Sequence, residues 1–347
     1  MTKQKLTVVL ATLVLTLTAS ALASAQCTFT TAKKTMTLNG DCTTTTNIIV
    51  PNGFTLDGAG HTITAMDPVL DHFKGGVIQN GGATANVTDV TITASFLADV
   101  CDSGADRLRG ILFDGASGSI SDVHVVNLNQ GLASGCQEGN GIEVRNFGAS
   151  PATCRVRIDG STVTGYQKGG IVANGDVDAT ITDNLVDGLG PSNVIARNGI
   201  QLGFGATGMV KRNQVSGNEY TGPEPFSAAG VLLIAGPGFA SPYSVGSQID
   251  QNTISENDVG VWVDEVDTSF NAPASMTNVK IVNNTISKAG VTNSQYQAAV
   301  SDVGNNDKII ANRISGAGYD PNTIPGATFA VDADPSFTNR AKVHANK

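Results

Sequence analysis

The chain is short of charge and of aromatic side chains: 15% of its 347 residues are Asp, Glu, Lys or Arg, 5% are aromatic, and there is one Trp. Ordinary globular chains carry about 25% charged residues. Low charge combined with 40% hydrophobic residues excludes intrinsic disorder, which needs the opposite balance. Glu and Lys are scarce, whereas Thr, Asn, Gly and Val dominate; that mix disfavours long helices and suits strands joined by turns. Gly is plentiful, at 40 residues, but no Gly-X-Y period makes a collagen of it. With one Trp, the chain also lacks the aromatic or Trp-Asp signature that each blade of a β-propeller would carry.

Long apolar runs are missing too. The longest, Leu6 to Leu17, falls short of the roughly 20 residues a membrane span needs. It follows Lys3 and Lys5 and precedes Ala23-Ser24-Ala25, so residues 1–25 read as a signal peptide cleaved before Gln26. The expected product is soluble, has no transmembrane segment, and is secreted or extracellular, or periplasmic in a two-membrane bacterium; a monomer is expected. Without the leader, 19 basic residues face 30 acidic ones, a net of -11. That balance argues against a nucleic-acid partner, which needs a basic footprint.

The five cysteines, Cys27, Cys42, Cys101, Cys136 and Cys154, include no C-x-x-C pair, which weakens zinc and redox readings. Export favours disulfides. Cys27 with Cys42, across an N-terminal cap, and Cys101 with Cys136, which both precede equivalent strands, are the preferred pairs. Cys136 with Cys154 stays open as an alternative.

What the chain does contain is a repeat. The phrase Asn-x-[apolar]-[Ser/Asp] starts at Asn184, Asn213, Asn252, Asn284 and Asn312, at steps of 29, 39, 32 and 28 residues. A second phrase, Gly-[Ile/Val]-x-[apolar], alternates with it at Gly110, Gly141, Gly170, Gly199, Gly230 and Gly260. Each phrase has the period of a short, half-buried strand. Two or more short strands per repeat, with no amphipathic helix between them, define a solenoid whose coils stack about 4.8 Å apart. Stacking accounts for the composition: corners need Gly and Asn, and like charges repel in a ladder. The expected fold is all-β, a single-domain right-handed parallel β-helix over 48–318, with an N-terminal cap over 26–47 and a C-terminal cap or tail over 319–347.

The opening phrase Val50-Pro51-Asn52-Gly53-Phe54-Thr55-Leu56-Asp57-Gly58-Ala59-Gly60-His61-Thr62-Ile63 resembles the first coil of right-handed parallel β-helix proteins of the pectin-lyase-like superfamily. The later Gly-Ile and Asn-x-Ile phrases match that fold's generic repeats, over roughly residues 45 to 320. The resemblance implies the fold. It leaves function open, because the superfamily spans lyases, hydrolases, epimerases, esterases and non-catalytic surface proteins. A polygalacturonase-like set of paired Asp, Gly-His-Gly and Arg-x-Lys is absent, as is a pectate-lyase-like Asp cluster followed by Arg-x-x-Arg-x-Pro.

If the Ile of each Gly-Ile phrase faces inward, its neighbour faces out. This gives the column Leu112, Glu143, Val172, Gln201, Leu232, Trp262 and, two residues on, Asp114, Arg145, Asn174, Gly203, Ile234, Asp264. The expected site is a polar patch over the central coils. Lys168, Glu143, Arg109 and Tyr166 are the catalytic candidates there, and Asn140, Arg145, Asn174, Gln201 and Trp262 the substrate-binding ones. A lyase needs a base such as Lys168, Arg109 or Tyr166, whereas a hydrolase needs two carboxylates, such as Glu143 and Asp114. No His, Cys or carboxylate set has the short spacing of a metal site, although Asp264, Glu265 and Asp267 have the hard oxygens that Ca²⁺ takes. The expected role is to bind or act on extracellular polysaccharide, as lyase or hydrolase if catalytic. The alternative is a non-catalytic surface, adhesion or matrix protein.

Overall fold

The computed structural model describes residues 26–148 and 152–333, and the backbone of Lys342–His344. The expected signal peptide, 1–25, lies outside the described residues. The chain coils through three parallel sheets, one strand in each per turn. Sheet I, ten strands from Cys42–Thr44 to Arg313–Ser315, holds the Asn phrases. Sheet II has twelve strands, from Phe29–Ala32 to Lys342–His344. Sheet III, ten strands from Ile48–Val50 to Thr328–Asp332, holds the Gly-Ile phrases. The fold is thus the expected parallel β-helix.

Its interior is a stack of apolar ladders. In sheet III, Ile111, Ile142, Ile171, Ile200, Val231, Val261 and Val300 are successive register partners, all fully buried. Sheet I contributes Val163, Val186, Val215, Ile254 and Ile286 in the same way. The strands of sheet II bring Ile158, Ile181, Val210, Ile249, Ile281 and Ile309. Burial of a branched aliphatic side chain is worth about 1.5–3 kcal/mol, so the continuous ladders supply the main driving force.

The corner between sheets II and I is sharp because one residue there is left-handed. Asp183, Arg212, Gln251, Asn283 and Ala311 have φ of 61, 56, 58, 57 and 58°. A non-Gly residue in this region costs roughly 1–2 kcal/mol. The next residue in each case is the repeat Asn, and its side chain offsets the strain. Asn184, Asn213, Asn252, Asn284 and Asn312 are all buried. Each of the first four donates through Nδ2 to Oδ1 of the next at 2.9–3.0 Å, and that same Oδ1 accepts the donor residue's backbone N–H.

Parallel pairing begins before residue 48 and runs past 318. Thr35–Leu38 stacks on Phe54–Asp57, and Phe29–Ala32 folds back on it as an antiparallel edge. At the other end, Thr328–Asp332 pairs with Gln297–Asp302, and Lys342–His344 with Lys308–Ile310. Residues 29–38 therefore supply ladder strands of their own, and the sheet ends in the short, largely exposed antiparallel strand Phe29–Ala32.

Cys27 is bonded to Cys42, with Cα atoms 4.9 Å apart, and Cys101 to Cys136, 5.0 Å apart. The second bond joins two successive loops that connect sheet I to sheet III. Cys154 is free and buried. Among the described residues no helix is long and apolar enough to cross a membrane.

Candidate functional site

The two outward columns of sheet III are in the expected register. Leu112, Glu143, Val172, Gln201, Leu232 and Trp262 are consecutive partners, and so are Asp114, Arg145, Asn174, Gly203, Ile234 and Asp264. The loops between sheets I and III fold over much of this face. Leu112, Glu143, Val172 and Leu232 point outward yet are buried.

That cover changes the reading of the central patch. Arg109 is 2% exposed, and its Nε donates to Glu143 Oε2. Its Nη1 and Nη2 donate to the carbonyls of Ala105, Arg107 and Gly104 at 3.3, 2.6 and 3.0 Å. The guanidinium is consumed in fastening the 104–107 turn. Asn140 and Asn174 donate to Glu143 at 3.1 and 3.4 Å, and Gln201 Nε2 donates to Asn174 Oδ1 at 2.9 Å. Arg109, Asn140, Glu143, Asn174 and Gln201 are therefore together, but joined to one another in a single hydrogen-bonded chain that leaves only Asn140 Oδ1 among its buried oxygens without a partner among the described residues. Arg145 pairs with Asp114 at 2.7 Å.

Tyr166 departs from expectation. It lies inside the helix, fully buried, and donates to Asn218 Oδ1 at 2.5 Å. Burial raises its phenol far above the usual value, which leaves it no part as a base on the outer face. The trio Lys168, Glu143 and Tyr166 does not converge. Tyr166 does lie in the loop between Thr162–Thr164 and Gly169–Gly175, but its ring turns into the interior, where its hydroxyl meets Asn218.

Lys168 belongs to a different place. Its Nζ donates to Ala196 O at 2.7 Å, and desolvation pulls its pKa down to about 8. It stands at one end of a groove of about 790 Å³ that runs over sheet III to Asp332. Leu232, Ile234, Trp262, Asp264, Ser301 and Asp332 lie along its floor, and Ile195, Phe226 and Tyr296 along its walls. From the strand after Lys168 to the strand of Asp332 is five coil steps, or roughly 24 Å along the axis at about 4.8 Å each.

Trp262 and Tyr296 are tilted rings with centroids 6.4 Å apart, and Phe329 is 5.6 Å beyond Tyr296. The Tyr296 hydroxyl lies 2.7 Å from Asp332 Oδ2 and 2.8 Å from Ser301 Oγ. Asp264 has no hydrogen-bond or ion-pair partner among the described residues, and burial alone raises its carboxyl to about 6. The groove thus combines apolar rings, an unpartnered acid, and a second carboxylate held by a phenol.

Sequence reasoning reached Trp262 and Lys168 and missed Tyr296, Phe226 and Asp332. Those three sit in the wall loops and on the last coil, outside the repeat phrases that carried the signal. The acidic trio near Trp262 is dispersed. Asp264 lines the groove, Glu265 is fully buried at the sheet corner, and Asp267 caps its own turn by accepting from Ser269 and Asn271 N–H at 2.8 and 3.0 Å. Among the described residues no group of three or more His, Cys, Asp or Glu side chains is placed to hold a metal ion.

Residues 109–314 match the family described as the right handed beta helix region, more than half of the chain. The chain belongs to that family. Among solved structures it is similar to the Dettilon tailspike protein, at 13% identity and a TM-score of 0.50, over 90% of this chain and 54% of that one. A periplasmic alginate epimerase follows at 12% identity and a TM-score of 0.45, over 84% of this chain and 68% of that one. Bacteriophage CBA120 tailspike protein 3 has 15% identity and a TM-score of 0.39, over 91% of this chain and 54% of that one. The chain spans about half the length of the tailspikes. At such identities the likeness concerns the fold. No curated protein matches the chain in sequence.

Proposed function

We propose that this is an exported polysaccharide-binding protein that holds a glycan chain in the Lys168–Asp332 groove and cleaves it by hydrolysis. The observation that carries the reading is the half-buried, unpartnered Asp264 beside Trp262 in a groove long enough for several sugar units. Aromatic rings with one wet face suit stacking on the apolar faces of sugars. A carboxyl raised to about 6 is a general acid near neutral pH, the state needed to protonate a glycosidic oxygen. Asp332 is the second carboxylate. Its strand is two coils from that of Asp264, about 10 Å along the axis, and Asp332 is in register with Trp262, two residues from Asp264, so the pair is set wider than the roughly 5–5.5 Å of a retaining enzyme and leaves room for a water between. Elimination has less support, because Lys168 donates to a carbonyl and Arg109 is spent on Glu143. The two disulfides support export.

The test is a glycan array followed by reducing-end assays on the polysaccharides that bind. Asp264→Asn is expected to lower kcat at least 100-fold with binding retained, in line with the roughly 10²–10⁴ contributed by a general acid. Trp262→Ala is expected to weaken binding about tenfold, through loss of a stacking partner worth roughly 0.5–1.5 kcal/mol beyond its area. Turnover is expected to fall as pH rises past about 6, where Asp264 loses its proton. Binding without turnover would leave the non-catalytic surface-protein reading in its place. No binding, with Trp262→Ala indistinguishable from wild type, would overturn both the glycan and the groove.

A further inference from the structure

A second, smaller pocket opens between the stacked loops that join sheets I and III, on the far side of segment 194–198 from the groove. Its volume is about 150 Å³, and Asn127, Asn129, Leu132, Ser134, Leu189 and Arg197 are among its lining. The strand beneath it, Leu185–Ser192, shifts register between Asp187 and Gly190. Leu189 sits in that shift with φ of 63° and is 61% exposed. Bulges of this kind re-aim side chains and collect at functional places.

Arg197 is the unusual member. Its Nη1 donates to Gly188 O at 2.6 Å and Gly190 O at 3.3 Å, which anchors the side chain on the bulge. The opposite edge has nothing. Nε is buried without a partner, and Nη2 makes no hydrogen bond or ion pair among the described residues. The Nε–Nη2 edge is one of the two with which guanidinium forks a carboxylate or sulfate. Tyr166, a buried phenol, lines the same pocket, and no Asp or Glu does. A half-buried cation with a free fork and no counter-ion is costly unless something supplies the negative charge. The neighbours suit such a guest: the Asn127 side-chain carboxamide makes no hydrogen bond among the described residues, and Ser134 Oγ accepts two hydrogen bonds with its own proton left to donate.

We propose that this pocket binds an oxyanion substituent of a sugar, a carboxylate or a sulfate, through the Nε–Nη2 fork of Arg197. The pocket shares Ile195 with the groove but none of its carboxylates; that the oxyanion is carried by a sugar rests on the glycan reading, whereas anion binding by Arg197 does not depend on hydrolysis.

The probes are sodium glucuronate, sodium sulfate and glucose, titrated into the mature protein at constant ionic strength with thermal unfolding as readout. A ligand that binds only the folded state raises Tm in a saturable way. The expected result is a saturable rise with glucuronate, sulfate or both, and none with glucose. Glucuronate alone would assign a carboxyl sugar, and both together a general oxyanion pocket. Arg197→Lys keeps the charge but loses the fork, and it is expected to weaken the anion at least tenfold. Asn127→Asp is isosteric at a position with φ of 53° that Asp tolerates, and it places a like charge in the pocket. It is expected to abolish the shift even if Arg197→Lys fails to fold. No saturable shift, or an unchanged one in Asn127→Asp, would overturn the proposal.

Discussion

Asn252→Ala is expected to lower the stability of the whole β-helix by about 3–5 kcal/mol, against less than about 0.5 kcal/mol for the exposed neighbour Thr253→Ala. Asn252 sits in the middle of the Asn ladder and is 1% exposed. Its Oδ1 accepts from Asn213 N at 2.9 Å and from Asn213 Nδ2 at 3.0 Å. Its Nδ2 donates to Val210 O and to Asn284 Oδ1, both at 2.9 Å. Truncation strands the Asn213 backbone N–H in a dry corner, takes one donor from each of two buried oxygens, and leaves a small void. An unsatisfied buried polar group costs about 1–3 kcal/mol. Backbone strain does not confound the comparison, because the left-handed residue is Gln251, φ 58°, and it is untouched. Denaturant unfolding of the two variants decides the matter. Equal midpoints for Asn252→Ala and Thr253→Ala would show that the ladder adds nothing beyond what the apolar stack provides.

The same ladder explains why so much of the fold was legible in the sequence. An Asn at a sharp corner, followed by an inward Val or Ile, must recur at each coil if the side-chain bonds are to be continuous, so the repeat announces itself. The Gly of the second phrase is equally constrained. A Cβ at Gly141 would lie 2.3 Å from a Val163 methyl, and one at Gly170 would lie 2.5 Å from Gly199 O. Sheet II was silent as a phrase, although its signal was present: an apolar residue stands three places before each ladder Asn, at Ile181, Val210, Ile249, Ile281 and Ile309. It went unread because the residues around it vary freely on the solvent side.

The site was less legible, for a different reason. Register gave the outward columns correctly, but outward does not mean exposed when loops of variable length fold over the face. Glu143 is 4% exposed although it points away from the core. Which charges remain available depends on where the long loops travel, and no repeat encodes that. The charged members of the expected patch, Arg109, Glu143, Arg145 and Lys168, fall into separate roles. Arg109 and Glu143 prove to be a buried brace for the Gly104–Asp106 turn, Arg145 pairs with Asp114, and Lys168 turns to the groove.

Raising the pH from about 5 to about 8 is expected to lower Tm by roughly 10 °C or more, and the origin is the corner where Glu265 and Asp307 are buried beside Asp302. Glu265 and Asp307 are fully buried, and neither is in an ion pair among the described residues. Glu265 Oε1 accepts only from Ser244 N, at 3.2 Å, and its Oε2 has no partner. Asp307 Oδ1 accepts from Val279 N and Thr277 Oγ1, both at 2.7 Å, whereas its Oδ2 has none. Burial, with the Asp302 charge as a lesser contribution, raises Glu265 to about 8; burial and the adjoining Asp302 carboxyl push Asp307 well above the usual range. The sign follows from where the proton is held. Below the ordinary carboxylate pKa both states are protonated, and the folded form loses nothing. Between there and about 8 the folded chain keeps protons that the unfolded chain releases, so each rise in pH favours unfolding. The slope is about 1.4 kcal/mol per pH unit for each proton so held, and each kcal/mol moves the Tm of a chain this size by roughly 2–4 °C or less. Glu265→Gln and Asp307→Asn keep the shape and the one oxygen that accepts in each case, with an NH2 in place of the unpartnered oxygen and no charge, so each is expected to flatten the profile and to raise Tm at pH 8 relative to wild type. Calorimetric scans at pH 5, 6.5 and 8 on the three proteins provide the measurement, and a wild-type Tm that holds level across that window would mean the carboxyls are stabilised as anions.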